Sequence, residues 1–147
     1  VKYGPFTHAI AHSMGSMALL RALRDGIPMK SAAIIGSGDK IRNVFYSFSE
    51  QLQFSDKVTE RMIQIVEKQF GMNLESYSSS MSLKHLELPL LIVHDKDDKE
   101  TPFTYSKDLN KIANNSELLL SSGLGHHRIL RDSKTVQRIV QFINQHP

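Results

Sequence analysis

The chain contains no cysteine. That excludes a disulfide scaffold, a thiolate zinc site and a cysteine nucleophile, and it leaves the compartment open. No run of about 18 apolar residues occurs, so no membrane-spanning helix is expected. Lysine and arginine are scattered, the formal net charge is only +3, and no basic stripe carries interleaved aromatics. Nucleic acid is therefore not an expected partner. No internal repeat is visible. The chain opens with Val1 rather than Met, so a missing leader carries no weight. The cytoplasm is the expected compartment.

What is present suits one soluble domain. The 147 residues, 40% apolar and 22% charged, are enough to bury a core. Short apolar runs alternate with helical patterns. Strands are expected at 7–12, 31–36, 88–95 and 116–122. Helices are expected at 14–24, 56–70, 101–113 and 133–145. In the second of these, Val58, Met62, Ile65, Val66 and Phe70 share one face. Thr101 and Pro102 read as the cap and first residue of the third. "ESYSSSMSL" reads as a serine-rich loop. Strands alternating with helices imply an α/β fold, a mostly parallel, doubly wound sheet of about four strands. Ligands bind such sheets beyond the carboxyl ends of the strands.

Three of those ends carry candidate chemistry. The first strand runs into Ser13 in "AHSMG", the third into Asp95, Asp97 and Asp98, and the fourth into "GLGHHR" with His126 and His127. Ser13 has two readings: a nucleophile lifted on a strand-to-helix turn, or an ordinary helix N-cap worth about 1 kcal/mol.

These segments resemble the α/β-hydrolase family from its nucleophile strand onward. "AHSMG" is similar to that family's G-x-S-x-G elbow, with Ala11 in place of the first glycine. "LLIVHDKDDKETP" resembles its acid loop, with Asp95 where glycine is common, Asp98 on the acid and Pro102 on the following proline. "GLGHHRIL" resembles its histidine loop, with His126 as the match and His127 as the rival. The resemblance implies a single domain over 1–147, with a helical cap-like insertion at about 41–84. It also implies a Ser13–Asp98–His126 triad for ester or related acyl bonds. Met14 N–H would supply half of an oxyanion hole that stays incomplete in this chain. The chemistry fits the residue types. A serine hydroxyl needs a base, an imidazole titrates near neutral pH, and a carboxylate fixes its tautomer. No cofactor is implied. The substrate would be a small acyl compound lying under 41–84, where Phe45, Tyr46, Phe48 and Phe54 offer apolar surface.

Two other readings stay open. One is a non-catalytic hydrolase-like fragment or binding module. The other is a magnesium-dependent phosphatase, because "LLIVHDKDD" also resembles the haloacid-dehalogenase strand, with Asp95 as nucleophile and Asp97 as acid. Asp98 stands where that loop usually has threonine or valine. Asp95 and Asp97 otherwise read as turn and surface residues, and His94 as a cap on the strand end. Residues 7–12 would have a neighbour on one side only. With no proline or lysine in the strand to blunt that edge, a homodimer or wider association through it is expected.

Overall fold

In the computed structural model, which describes residues 4–147, four strands stand side by side in chain order. These are β1 (His8–His12), β2 (Ser31–Ile35), β3 (Leu90–Asp95) and β4 (Ser116–Ser121). All three pairings are parallel. The register sets His12 beside Ile35, Ile35 beside Val93, and Asp95 beside Ser121. The carboxyl ends of all four strands are therefore nearly level, and the loops that leave them meet above one edge. β2 and β3 are buried throughout, as the unbroken apolar runs of a two-sided parallel sheet require.

Among the described residues seven α-helices accompany the sheet: α1 (Met14–Arg24), α2 (Ile41–Gln51), α3 (Asp56–Phe70), α4 (Ser79–Leu83), α5 (Thr104–Ile112), α6 (Gly125–Arg128) and α7 (Ser133–Asn144). Helices α1, α4 and α5 cover one face. There Leu20, Leu23, Leu83 and Leu109 pack on Ala32, Ile34, Leu90 and Ile92. The alternate residues Ala33, Ile35, Leu91 and Val93 face the other way, against Ile129 and the α7 residues Ile139 and Phe142. The period-two alternation of each strand thus feeds two cores. Among the described residues no helix is long and apolar enough to cross a membrane.

Between β2 and β3 the chain makes an excursion through α2 and α3. It leaves and returns at one point, where Lys40 and Ser78 form an antiparallel bridge. Arg42 ties the excursion together, 2.6 Å from Glu60 and 3.2 Å from Glu75.

Three expectations need correction. First, the apolar face expected on α3 is not the buried one: Thr59 and Ile63 are buried, while Val58, Ile65 and Phe70 are exposed. The helix packs on α2 rather than on the sheet, so it needs only a narrow stripe. Second, the serine-rich loop contains a buried helix, α4. Ser78 caps it by accepting from the Met81 N–H. Ser79 and Ser82 donate to the carbonyls of Gly38 and Ser78, so polar side chains enter the interior already bonded. Third, Thr101 does not cap α5, which begins at Thr104. Thr101 is held in the loop before it, its N–H on Asp98 and its carbonyl on His94.

Candidate active site

Ser13 follows the last residue of β1 and has φ 56° and ψ −129°. A residue with a Cβ avoids that region, at a cost of about 1–3 kcal/mol, and the surroundings hold it there. The Ser13 N–H donates to the Ile35 carbonyl at 2.8 Å. The buried Ser16 hydroxyl bonds back to the Ala11 carbonyl at 3.0 Å. The Ser13 side chain makes no capping bond to α1. Its Oγ lies instead 2.9 Å from His126 Nε2. Of the two roles open to Ser13, the cap is not taken.

His126 sits on the one-turn helix α6 after β4 and is only 6% exposed. Its Nδ1 lies 2.6 Å from Asp98 Oδ2. An ionised carboxylate only accepts, so Nδ1 carries the proton and Nε2 is left to accept from the serine hydroxyl. Room for the ring depends on Gly36 at the end of β2. A Cβ there would meet His126 Cε1 at 3.1 Å, and φ is +58°. Only glycine suits both demands.

Asp98 is surrounded by donors. Oδ1 accepts from the N–H groups of Glu100 and Thr101 at 2.9 and 2.8 Å. Oδ2 accepts from His126 and lies 3.2 Å from His94 Nε2. Burial pushes this carboxyl up. The Thr101 N–H, the His126 ring and the Glu100 N–H outweigh burial and hold it below the ordinary aspartate value.

Sequence reasoning understated four neighbours. His94, at the end of β3, is fully buried. Its Nε2 donates to the Thr101 carbonyl at 3.0 Å, and Ser106 Oγ donates to its Nδ1 at 2.6 Å. Asp95 is 1% exposed rather than a turn residue at the surface, and its two oxygens accept from Ser121, Asp97, Leu124 and Gly125. Asp97 accepts from the Gly123 N–H at 2.7 Å. His12 reaches the His126 carbonyl with Nε2 at 3.0 Å. The donors that Asp95 finds in the loop "SSGLG" lie 26 to 30 residues away along the chain, beyond the reach of any local pattern. Asp95 has no oxygen free to attack a phosphoryl group, so the arrangement gives the phosphatase reading no support. His127 points outward to Glu100 at 2.9 Å. Among the described residues, no group of three or more histidine, aspartate or glutamate side chains is arranged to hold a metal ion.

Ser13 and His126 open onto a cleft of about 480 Å³. Helix α2 lines it with Asn43, Val44, Ser47 and Phe48, one face of a 3.6-residue period. Phe45, Tyr46 and Phe54, expected there with Phe48, are not among its walls. Tyr46 instead bonds Glu60 of α3. Asn43 donates to the Tyr105 hydroxyl of α5 at 3.0 Å, joining two of the cleft's walls. Such a site can deprotonate a serine, stabilise an imidazolium, and admit a small substrate with polar parts.

Comparison with known proteins gives a family and a fold. Residues 72–145 match the Abhydrolase_4 family model, described as TAP-like protein. The solved structure of MGS-MChE2, an α/β-hydrolase enzyme from the sediment metagenome of the Mar Chica lagoon in Morocco, is similar with a TM-score of 0.66. Identity is 16%, over 94% of this chain and 61% of that one. The esterase domain of a Rhodothermus marinus protein is similar with a TM-score of 0.65, at 17% identity over 97% of this chain and 59% of that one. A curated relative, dehydrogenase/reductase SDR family member 7B of Xenopus laevis, is 25% identical over 138 residues, 88% of this chain and 41% of that protein. The chain thus spans less than half of the curated relative and about three-fifths of the two structures. A G-x-G-x-x-G dinucleotide fingerprint is not formed at Gly36-Ser37-Gly38, where Ile41 stands in the third glycine's place.

Proposed function

The chain belongs to the α/β-hydrolase superfamily, and on that footing we propose that it is a serine hydrolase cleaving an ester or related acyl bond. One observation carries the reading: the continuous relay from Asp98 Oδ2 through His126 to Ser13 Oγ, with spacings of 2.6 and 2.9 Å. It supports attack by Ser13 Oγ on the acyl carbon while His126 Nε2 takes the hydroxyl proton. The carbonyl oxygen becomes an oxyanion. The Met14 N–H, free of any intrahelical partner as the first residue of α1, is the donor nearest that charge along the chain. Collapse breaks the bond to the leaving group, which departs with the proton from His126 and leaves an acyl-serine. Water, deprotonated by the same ring, then releases the acid and restores Ser13. Asp98 stays ionised throughout and steadies the imidazolium. The excursion through α2 and α3 would serve as the cap over this chemistry, with Phe48 and Val44 toward the substrate. Esterases, thioesterases and peptidases share these steps, and the cleft's mixed polar lining favours a small acyl substrate.

The test is labelling with a fluorophosphonate probe and mapping of the modified peptide by mass spectrometry. The expected product is a single adduct on Ser13, lost in Ser13→Ala and in His126→Ala. An adduct on another residue, or none at all, refutes the proposal and returns the chain to the non-catalytic reading.

A further inference from the structure

Asp95 stands where related acid loops commonly have glycine, and a glycine there could not make the contacts seen here. The side chain is buried at the end of β3. Oδ1 accepts from the N–H groups of Asp97 at 3.0 Å and Gly125 at 2.9 Å. Oδ2 accepts from the Ser121 hydroxyl at 2.6 Å and the Leu124 N–H at 3.2 Å. These four donors come from two loops. Asp97 directly precedes Asp98. Ser121 ends β4, and Gly125 directly precedes His126.

We propose that Asp95 is a positioning residue for the proposed triad, clamping the histidine loop to the acid loop so that His126 meets both Asp98 and Ser13. The inference rests on the serine-hydrolase reading for its consequence and on the contacts alone for its geometry. Other bonds also reach the histidine loop: Arg128 donates to the Gly123 carbonyl at 2.9 Å, and the Lys96 N–H donates to the Ser121 carbonyl at 2.9 Å. In "SSGLG" the Ser121 hydroxyl is spent on Asp95, and Gly125 takes φ +68°, a conformation open to it without a Cβ penalty. Asp97 adds a second tether through Gly123. His126 itself contributes only its ring contacts and the carbonyl that His12 reaches. Without the clamp, the residue before His126 has no fixed partner on β3. A shift of about 1 Å in a base costs on the order of 100-fold in rate.

The substitution that isolates this role is Asp95→Asn. It keeps the shape and turns one acceptor oxygen into an NH₂ donor. With the amide NH₂ at the Oδ1 place it faces two backbone N–H donors; at the Oδ2 place it faces the Leu124 N–H, while the Ser121 hydroxyl can turn to accept from it. Two readouts follow it in the 147-residue chain: the rate of fluorophosphonate labelling at Ser13, and the far-downfield proton resonance of His126 Nδ1–H in its bond to Asp98. Asp95→Asn is expected to slow labelling about 100-fold and to shift or broaden that resonance, while circular dichroism reports a folded chain. Ser121→Ala removes one donor of the four and gives a smaller change of the same kind in both. A purely structural role for Asp95 would lower the melting temperature and leave both readouts in place, and that result overturns the proposal. If Asp95→Asn does not fold, Ser121→Ala decides. An unmoved resonance and an unchanged labelling rate in that variant also overturn it. If the unsubstituted chain takes no label, the hydrolase reading fails separately, and the resonance alone judges the clamp.

Discussion

His94 and Asp98 share a proton environment that ties the proposed site to the stability of the chain. Burial lowers the pKa of His94, opposed in part by the Thr101 carbonyl and by Asp98. Its bonds explain why it stays neutral: Nε2 must donate to a carbonyl, so Nδ1 accepts the Ser106 hydroxyl. A histidine with a lowered folded-state pKa binds its proton more readily when unfolded. Its contribution is therefore undiminished above the ordinary value of about 6.5 and falls as pH drops below it. His12, lowered first by burial as well, acts in the same direction. The urea midpoint should fall between about pH 7.5 and about pH 5.5, before most carboxylates titrate. His94→Gln should make that decline shallower, and an equal slope in the two proteins would show that His94 is not its source. At this scale the sequence was informative where a residue's chemistry is visible by type. Ser13, Asp98 and His126 could be singled out because a serine, a carboxylate and an imidazole followed three strands in turn. Asp95 and His94 could not. Their importance comes from donors contributed by residues 106 and 121–125, which no local pattern connects to them.

Helix α7 shows how far periodicity carries and where it stops. Val136, Ile139, Val140 and Ile143 mark its apolar stripe, yet the side chain that fills the core is Phe142, 1% exposed beneath the sheet, while Val136 and Val140 remain exposed. The axis is rotated so that Ile139 and Phe142, one turn apart, face β2 and β3. Asp132 caps the first turn through the Thr135 N–H at 2.8 Å. Since Phe142 fills the core on this face of the sheet, Phe142→Ala should cost about 3–5 kcal/mol, read as a lower urea midpoint with little change in slope. A loss under about 1 kcal/mol would mean that the face closes by some other contact. Helix α3 makes the same point in reverse. Its apolar face is legible, but whether a face is buried depends on what lies opposite, and α3 packs mainly against α2. The short helix α4 escaped notice because serine reads as loop, and only the fold supplies the carbonyls that let serines go inside.

At the scale of the molecule, strand alternation implied a parallel sheet and the order of its strands followed the chain. Among the described residues β1 pairs only with β2, and Ile10 in its middle is 55% exposed. An open parallel-sheet edge of this kind recruits another strand. Two copies related by a two-fold axis would join β1 to β1 in antiparallel fashion. Light scattering of the purified 147-residue chain, 16.6 kDa, should report a dimer or a larger species. A monomer that persists at high concentration would show that the edge is protected. The bridge between Lys40 and Ser78 has a consequence of another kind. Ile35 and Val93 remain neighbours in the sheet however long the path between them, and the path is pinched shut at that bridge. Everything beyond it can be lengthened, trimmed or traded for a different sequence while the strand ends stay where they are. Evolution can thus redesign the ceiling of this cleft as a detachable part, and an engineer can graft at the same two residues.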